Sequence, residues 1–292
     1  MPKPIALRKT AEPRTYAILP DQQIPWHDRE LHEVVLRMLA DLQPTGVVLS
    51  GDITDKPQFS LKYPWNHRMT ADPIASVRNH QRTARAVLRE YVEASGGTDN
   101  WVVPGNHDDR FINYVAARAP LLLALEDVDG DDLISLAKYL DAESAGYQMA
   151  TDPSGMASYP AAHVALSPIL AVYHGWLLGN GEGGASAAAH LKYLNHSVIV
   201  GHTHRQAKIH RTLHTLGSDN VVVLVGIEAG TLALVSGGLG HTVNPNWQQG
   251  LAVVTIFGDG EFTADTAVYA NKSLFYQGQR WTFTKRGIKH AA

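Results

Sequence analysis

Five short apolar runs in this 292-residue chain each stop at residues that can hold a divalent metal or move a proton. The run in "TYAILP" ends in Asp21-Gln22-Gln23, "GVVLS" in Gly51-Asp52-Ile53-Thr54-Asp55, and "NWVVP" in Gly105-Asn106-His107-Asp108. Further on, "ILAVY" ends in His174-Gly175 and "SVIV" in Gly201-His202-Thr203-His204. Carboxylate oxygens, an amide oxygen and imidazole nitrogens are the donors that hard and borderline divalent cations take. Glycine beside a ligand lets the backbone turn sharply at a strand end. His202 and His204, as alternate residues, can point to one side of an extended segment.

Each run has a bland reading when taken alone. A GD after a strand is usually a turn, and Asn and Asp in GNHD are favoured in turns. A histidine before a glycine is commonly a plain strand end. The conjunction argues for chemistry: all five occur in one chain, and each follows an apolar run.

The elements around these residues can be read from their periods. Leu31, Val34, Val35, Met38, Leu39 and Leu42 recur at helical spacing, with Asp28 as the expected N-cap. Ala84, Val87, Leu88 and Tyr91 mark a second helix, residues 111–147 read as mixed helices, and a short helix is expected near 187–193. The early alternation of strand and helix predicts a largely parallel sheet, and the strands after Gln206 predict a second one. The fold class expected is therefore α/β (α+β), with two mixed β-sheets face to face and helices outside. The strand ends of parallel α/β sheets share one crevice, which would bring Asp21, Asp52, Asn106, His174, His202 and His204 together. No repeat and no Pro/Ser-rich linker divides the chain. The expected organisation is a loose N-terminus over 1–13, one domain over 14–280, and a solvated basic tail over 281–292.

Composition narrows the function classes. The net charge of -3 gives no support to a broadly nucleic-acid-coating or membrane-hugging surface. The absence of cysteine excludes disulfides, thiolate metal sites and a cysteine nucleophile. No stretch approaches the ~18 apolar residues of a membrane span, and the N-terminus lacks the pattern of a signal peptide. A cytoplasmic enzyme is the expectation, in the host cytoplasm if the chain is phage-encoded.

From Tyr16 to His204, the order and spacing of the five motifs resemble the calcineurin-like metallophosphoesterases. The pattern of that family is D-x-H, GDxxD, GNHD/E, H and GHxH. The resemblance implies a four-layer αββα sandwich with a dinuclear metal site at the strand C-terminal ends. It implies that Asp52 bridges two divalent ions, that Asp21 and His204 bind the first, and that Asn106, His174 and His202 bind the second. His107 would donate a proton to the leaving group, Asp108 would hold its ring, and Arg110, with Asn106, would touch substrate.

The first motif departs from the family pattern, with Gln23 where histidine is usual; such D-x-Q variants resemble members from phages or bacteria. Gln23 could offer a carbonyl oxygen, a weaker ligand than imidazole for late transition metals. Manganese is then the first expectation, with magnesium, iron, cobalt, nickel or zinc as alternatives. His27 is a second candidate to complete that site.

The activity implied is hydrolysis of phosphodiesters, and of activated phosphomonoesters, by a metal-bridging hydroxide. The leading substrate is a small nucleotide such as a 2',3'-cyclic nucleotide. The loop with Tyr63, Trp65, His67 and Arg68 is a candidate to stack a base and hold a phosphate. No stable nucleic-acid complex and no membrane contact are expected. A DNA nuclease is the alternative within the family. An alternative of another class is a metal-binding scaffold of weakened catalysis that acts through a protein partner. Lys56 after GDxxD, in place of Arg-Gly, argues against a protein phosphatase.

Overall fold

The computed structural model describes residues 12–61, 73–214, 221–235 and 245–291. Residues 1–11 of the expected loose N-terminus lie outside them, as do Tyr63, Trp65, His67 and Arg68 of the aromatic loop.

The central strands of both sheets are apolar on both faces because each is covered on two sides. In β1 (Arg14–Leu19), Tyr16 and Ile18 enter one core while Ala17 and Leu19 enter another. The same alternation divides Val48 from Val47 and Leu49 in β2 (Gly46–Leu49). Between them lies α1 (Arg29–Leu42), whose buried face is Leu31, Val34, Val35, Met38 and Leu39, as its period predicts. Asp28 Oδ1 accepts the backbone N–H groups of Glu30 and Leu31 at 3.0 and 3.2 Å, the N-cap expected. Next come α2 (Pro73–Ser95) and β3 (Asn100–Val102), then α3 (Arg110–Arg118), α4 (Leu136–Leu140) and β4 (Tyr147–Met149).

The chain then crosses to a second sheet. Its elements are β5 (His163–Ser167), β6 (Leu170–Tyr173), α5 (Ala185–Leu194), β7 (Ser197–Val200), β8 (Gln206–His214) and β9 (Val221–Ala229). It returns to the first sheet with β10 (Gly250–Ile256), β11 (Phe262–Ala270), β12 (Ser273–Tyr276), β13 (Gln279–Thr284) and β14 (Gly287–Ala291). Among the described residues, the first sheet has nine strands in the order β14-β13-β12-β11-β10-β1-β2-β3-β4. The second has five, in the order β5-β6-β7-β9-β8. Both are mixed: β1, β2, β3 and β4 are parallel neighbours, as are β6, β7 and β9, and the flanking pairs are antiparallel.

Three cores separate the layers. Tyr16, Ile18, Val48, Val172, Ile199 and Val254 belong to the core between the sheets. Residues of α1 and α2 pack with Ala17, Val47 and Leu251 outside the first sheet, and Leu191 of α5 packs with Val198 and Val200 outside the second. This is the αββα order expected. Among the described residues no helix is long and apolar enough to cross a membrane.

Two expectations are corrected. The second sheet is built by the middle of the chain, residues 163–229, whereas the last strands extend the first sheet. Periodicity identifies a strand but not its neighbour, and β10 pairs antiparallel with β1 across more than 230 residues of chain. The expected solvated tail is also ordered as β13 and β14. Trp281 is buried, donates from Nε1 to Asp41 Oδ2 at 2.9 Å, and stacks on His290 with centroids 4.7 Å apart. The basic residues there sit between inward Trp281, Phe283 and Ile288, and they conceal the alternation.

Candidate metal centre

The carboxyl ends of β1, β2 and β3 in one sheet face those of β6 and β7 in the other, and the predicted residues meet there. Asp21, Asp52 and His174 are buried, with ligand atoms all within 4.8 Å of one another. His174 Nε2 lies 3.4 Å from Asp52 Oδ1 and 3.0 Å from Asn106 Oδ1. His202 Nδ1 lies 2.9 Å from the same Asn106 oxygen and 3.2 Å from His174 Nε2. His204 Nε2 lies 3.2 Å from Asp21 Oδ1.

The backbone is bent to achieve this. Asp21, Gln23, Asp52, His202 and His204 all have positive φ, between 43° and 67°. Non-glycine residues rarely adopt that region, and such strain clusters at functional sites. Two glycines are required by close approach. A Cβ on Gly105 would come within 2.1 Å of the Asp52 backbone nitrogen, and one on Gly201 within 2.2 Å of Asp21 Oδ2. The loops are also laced across the sheets: the His202 N–H donates to Asp21 Oδ2 at 2.9 Å, and His174 Nδ1 meets the Ser50 carbonyl at 2.9 Å. A carbonyl only accepts, so Nδ1 of His174 bears a proton and its Nε2 lone pair faces the cluster in the neutral ring.

The donor set fits a divalent cation. Two carboxylates, one amide oxygen and imidazole nitrogens converge, and their lone pairs face one another at about hydrogen-bond distance. His204 Nδ1 and Ser50 Oγ are in addition buried without a hydrogen-bond partner. Burial would raise the Asp52 carboxyl, but His107, His174 and His202 hold it well below the usual carboxylate range. Burial, and then His174, push His202 down to about 4, so its ring is neutral at pH 7 and able to ligate.

Around this cluster the structure assigns several side chains differently from the sequence reading. Gln23, expected to offer its carbonyl oxygen to a metal, instead donates from Nε2 to Asp52 Oδ2 at 2.8 Å. Its Oε1 lies 2.8 Å from His107 Nδ1. Asp108, expected to hold the His107 ring, does not. Its carboxylate accepts from the backbone N–H groups of Ile53, Thr54 and Gly105 at 3.1–3.2 Å, bracing the GDITD loop against the GNHD loop. The residue against the His107 ring is Asp55, with Oδ1 2.9 Å from Nδ1. Arg110, expected at the substrate, lies 2.7 Å from both Asp55 Oδ1 and His107 Nε2. His27 packs edge-on against His32 at 5.9 Å, beside the start of α1.

Three residues were missed. Asp55 is the second carboxylate of GDxxD, so the motif itself carried the signal. Glu228 is a buried carboxylate in the apolar strand β9, and a charge in such a run is its signal. Its Oε1 accepts the N–H groups of Gly184, Ser186 and Ala187 at the start of α5, and its Oε2 accepts from Thr203 Oγ1 at 2.8 Å. Glu228 thereby ties the GHTH loop to α5. Tyr159, in the loop after β4, packs on His174 and His202 with centroids 5.7 and 6.4 Å apart, and nothing local in the sequence marks it.

No family model matches the chain. The Gene 54 protein of Mycobacterium phage L5 is 28% identical over 259 residues, covering 82% of this chain and 88% of that protein. The Gene 54 protein of Mycobacterium phage D29 is 27% identical over 259 residues, covering 83% and 89%. Among solved structures, a Vps29 single mutant from Entamoeba histolytica gives a TM-score of 0.36 at 11% identity, covering 95% of this chain and 97% of that one. The nuclease MPE of Pseudomonas putida gives 0.30 at 14% identity, covering 85% of each chain.

Proposed function

We propose that this protein is a metal-dependent phosphoesterase that hydrolyses phosphodiesters, with small nucleotides, such as 2',3'-cyclic nucleotides, as its substrate class. The observation that carries this reading is the convergence of Asp21, Asp52, Asn106, His174, His202 and His204 from the ends of five strands in two sheets. In this reading Asp21, Asp52 and His204 hold one divalent ion, and Asp52, Asn106, His174 and His202 hold a second. The carboxylate-rich first set favours manganese. Bound there, such ions supply positive charge that polarises phosphoryl oxygens and makes hydroxide available near neutral pH.

The remaining work falls to side chains. Asp55 takes the Nδ1 proton side of His107 and fixes the ring, so Nε2 is the atom that passes a proton to the departing ester oxygen. The guanidinium of Arg110 can only donate, and at 2.7 Å from Nε2 it stands where that oxygen must come. Substrate therefore displaces Arg110 from His107, and the guanidinium then faces a phosphoryl oxygen. In the balance, water adds to phosphorus and gives up a proton to solvent, the ester P–O bond breaks, and the alcohol leaves with a proton that His107 Nε2, freed of Arg110, has taken up from solvent.

The test is hydrolysis of bis(p-nitrophenyl) phosphate and 2',3'-cyclic AMP by chelator-stripped and manganese-reloaded protein. Stripped protein should be inactive and manganese should restore turnover. Full activity after stripping, or no hydrolysis of any phosphoester with manganese present, contradicts the reading.

A further inference from the structure

A cavity of about 320 Å³ opens beside His202, between the GHTH loop and residues 245–247. That volume lies in the range of small-ligand sites. Its walls are Leu178, Pro245 and Trp247 on the apolar side, with Thr203 and Asn246 as polar neighbours. Leu178 is 70% exposed and so is free to meet a ligand. Trp247 is half-buried and is held in place by His204, with ring centroids 4.5 Å apart. The cavity thus shares its wall with the metal cluster, through His202, and its aromatic residue rests on another member of that cluster.

Among the described residues, the one cation in the wall is not available to a ligand's charge. Arg205 has Nε 3.6 Å from the buried carboxylate of Glu228, and its terminal nitrogens donate to the carbonyls of Gly179, Gly181 and Glu182. A phosphate is therefore served by the metal cluster and Arg110, while the cavity offers apolar walls and one large aromatic ring. That division suits a phosphoester whose organic part is neutral and planar.

We propose that this cavity is the nucleobase subsite of the substrate, with Trp247 as the stacking platform and Leu178 closing over the base. The inference rests on the phosphodiesterase reading above. Stacking of a base on an aromatic side chain corresponds to roughly ten- to a hundredfold in affinity.

The experiment compares two esters with one leaving group, thymidine 5'-(p-nitrophenyl phosphate) and methyl p-nitrophenyl phosphate, on manganese-loaded protein. Wild type should favour the thymidine ester in kcat/KM by roughly ten- to a hundredfold. Trp247→Leu should bring the ratio toward one, Trp247→Phe should retain most of it, and the exposed-site variant Leu178→Ala should lower it severalfold. A wild-type ratio of one, or a ratio unchanged in both Trp247→Leu and Leu178→Ala, overturns the subsite. Titration with thymidine monophosphate, followed by tryptophan fluorescence, separates the two claims. If neither ester is hydrolysed, the phosphodiesterase reading fails. The subsite then stands only if thymidine monophosphate quenches wild-type fluorescence and binds more weakly to Leu178→Ala, and it falls if it does not.

Discussion

The side-chain nitrogen of Gln23 donates to Asp52 Oδ2 at 2.8 Å, while its oxygen faces His107 Nδ1 at the same distance. Gln23 thereby couples the carboxylate proposed to bridge two metals to the side chain proposed to protonate the leaving group. An N–H cannot ligate a metal, so in this arrangement Gln23 positions its neighbours. Gln23→Leu should leave metal stoichiometry unchanged and slow turnover roughly tenfold, the scale of one lost hydrogen bond to a charged group. Loss of one metal per chain in that variant would show that Gln23 is a ligand after all. Gln23→His adds an imidazole beside Asp52 and should tighten cobalt relative to manganese.

His107 should affect chemistry rather than metal. In His107→Asn, metal content should be retained, and hydrolysis of alkyl phosphodiesters should fall about 10²–10⁴-fold. Activated aryl esters, whose leaving oxygen needs no proton, should lose much less. Equal losses on both classes would argue against proton donation.

Trp281 tests the end of the chain. It is buried against α1 and tied to Asp41. Trp281→Ala should cost about 3–5 kcal/mol in urea unfolding, as expected for a large core side chain. A change within ~0.5 kcal/mol, the usual range for a surface substitution, would mean that β13 and β14 are dispensable to the core.

The candidate site was far more legible than the topology around it. Metal-ligating residue types sit within a few positions of strand ends, so Asp21, Asp52, Asn106, His174, His202 and His204 could be found by local pattern alone. The placement of α1 followed from its period and from Asp28. Pairings distant in sequence could not be read this way. Nothing local says that β10 joins β1, or that Trp281 turns inward among basic neighbours. The partners of His107 were misassigned for the same reason: Asp108 is adjacent in sequence, but its carboxylate is turned to three backbone N–H groups, and Asp55 reaches the ring instead.

His27 gives a pH dependence of stability. Burial, then the neighbouring His32 and Arg29, push its imidazole down to about 4. The folded state therefore binds fewer protons than the unfolded chain, whose histidines titrate near 6.5. This contribution is complete above pH ~6.5 and is lost as pH falls toward 4. The urea midpoint should drop across that window in wild type and drop less in His27→Phe. Parallel curves for the two proteins would exclude His27 as the source.

The most direct test of the metal centre is a manganese titration of chelator-stripped protein, with free ion followed by electron paramagnetic resonance, for wild type and Asp52→Asn. Asp52→Asn keeps the shape of the side chain and removes the charge shared by both proposed ions. Wild type should take up two manganese ions per chain, and Asp52→Asn should lose tight binding of both. Uptake of no tightly held ion by wild type, or two tightly held ions in Asp52→Asn, would contradict a dinuclear centre bridged by Asp52.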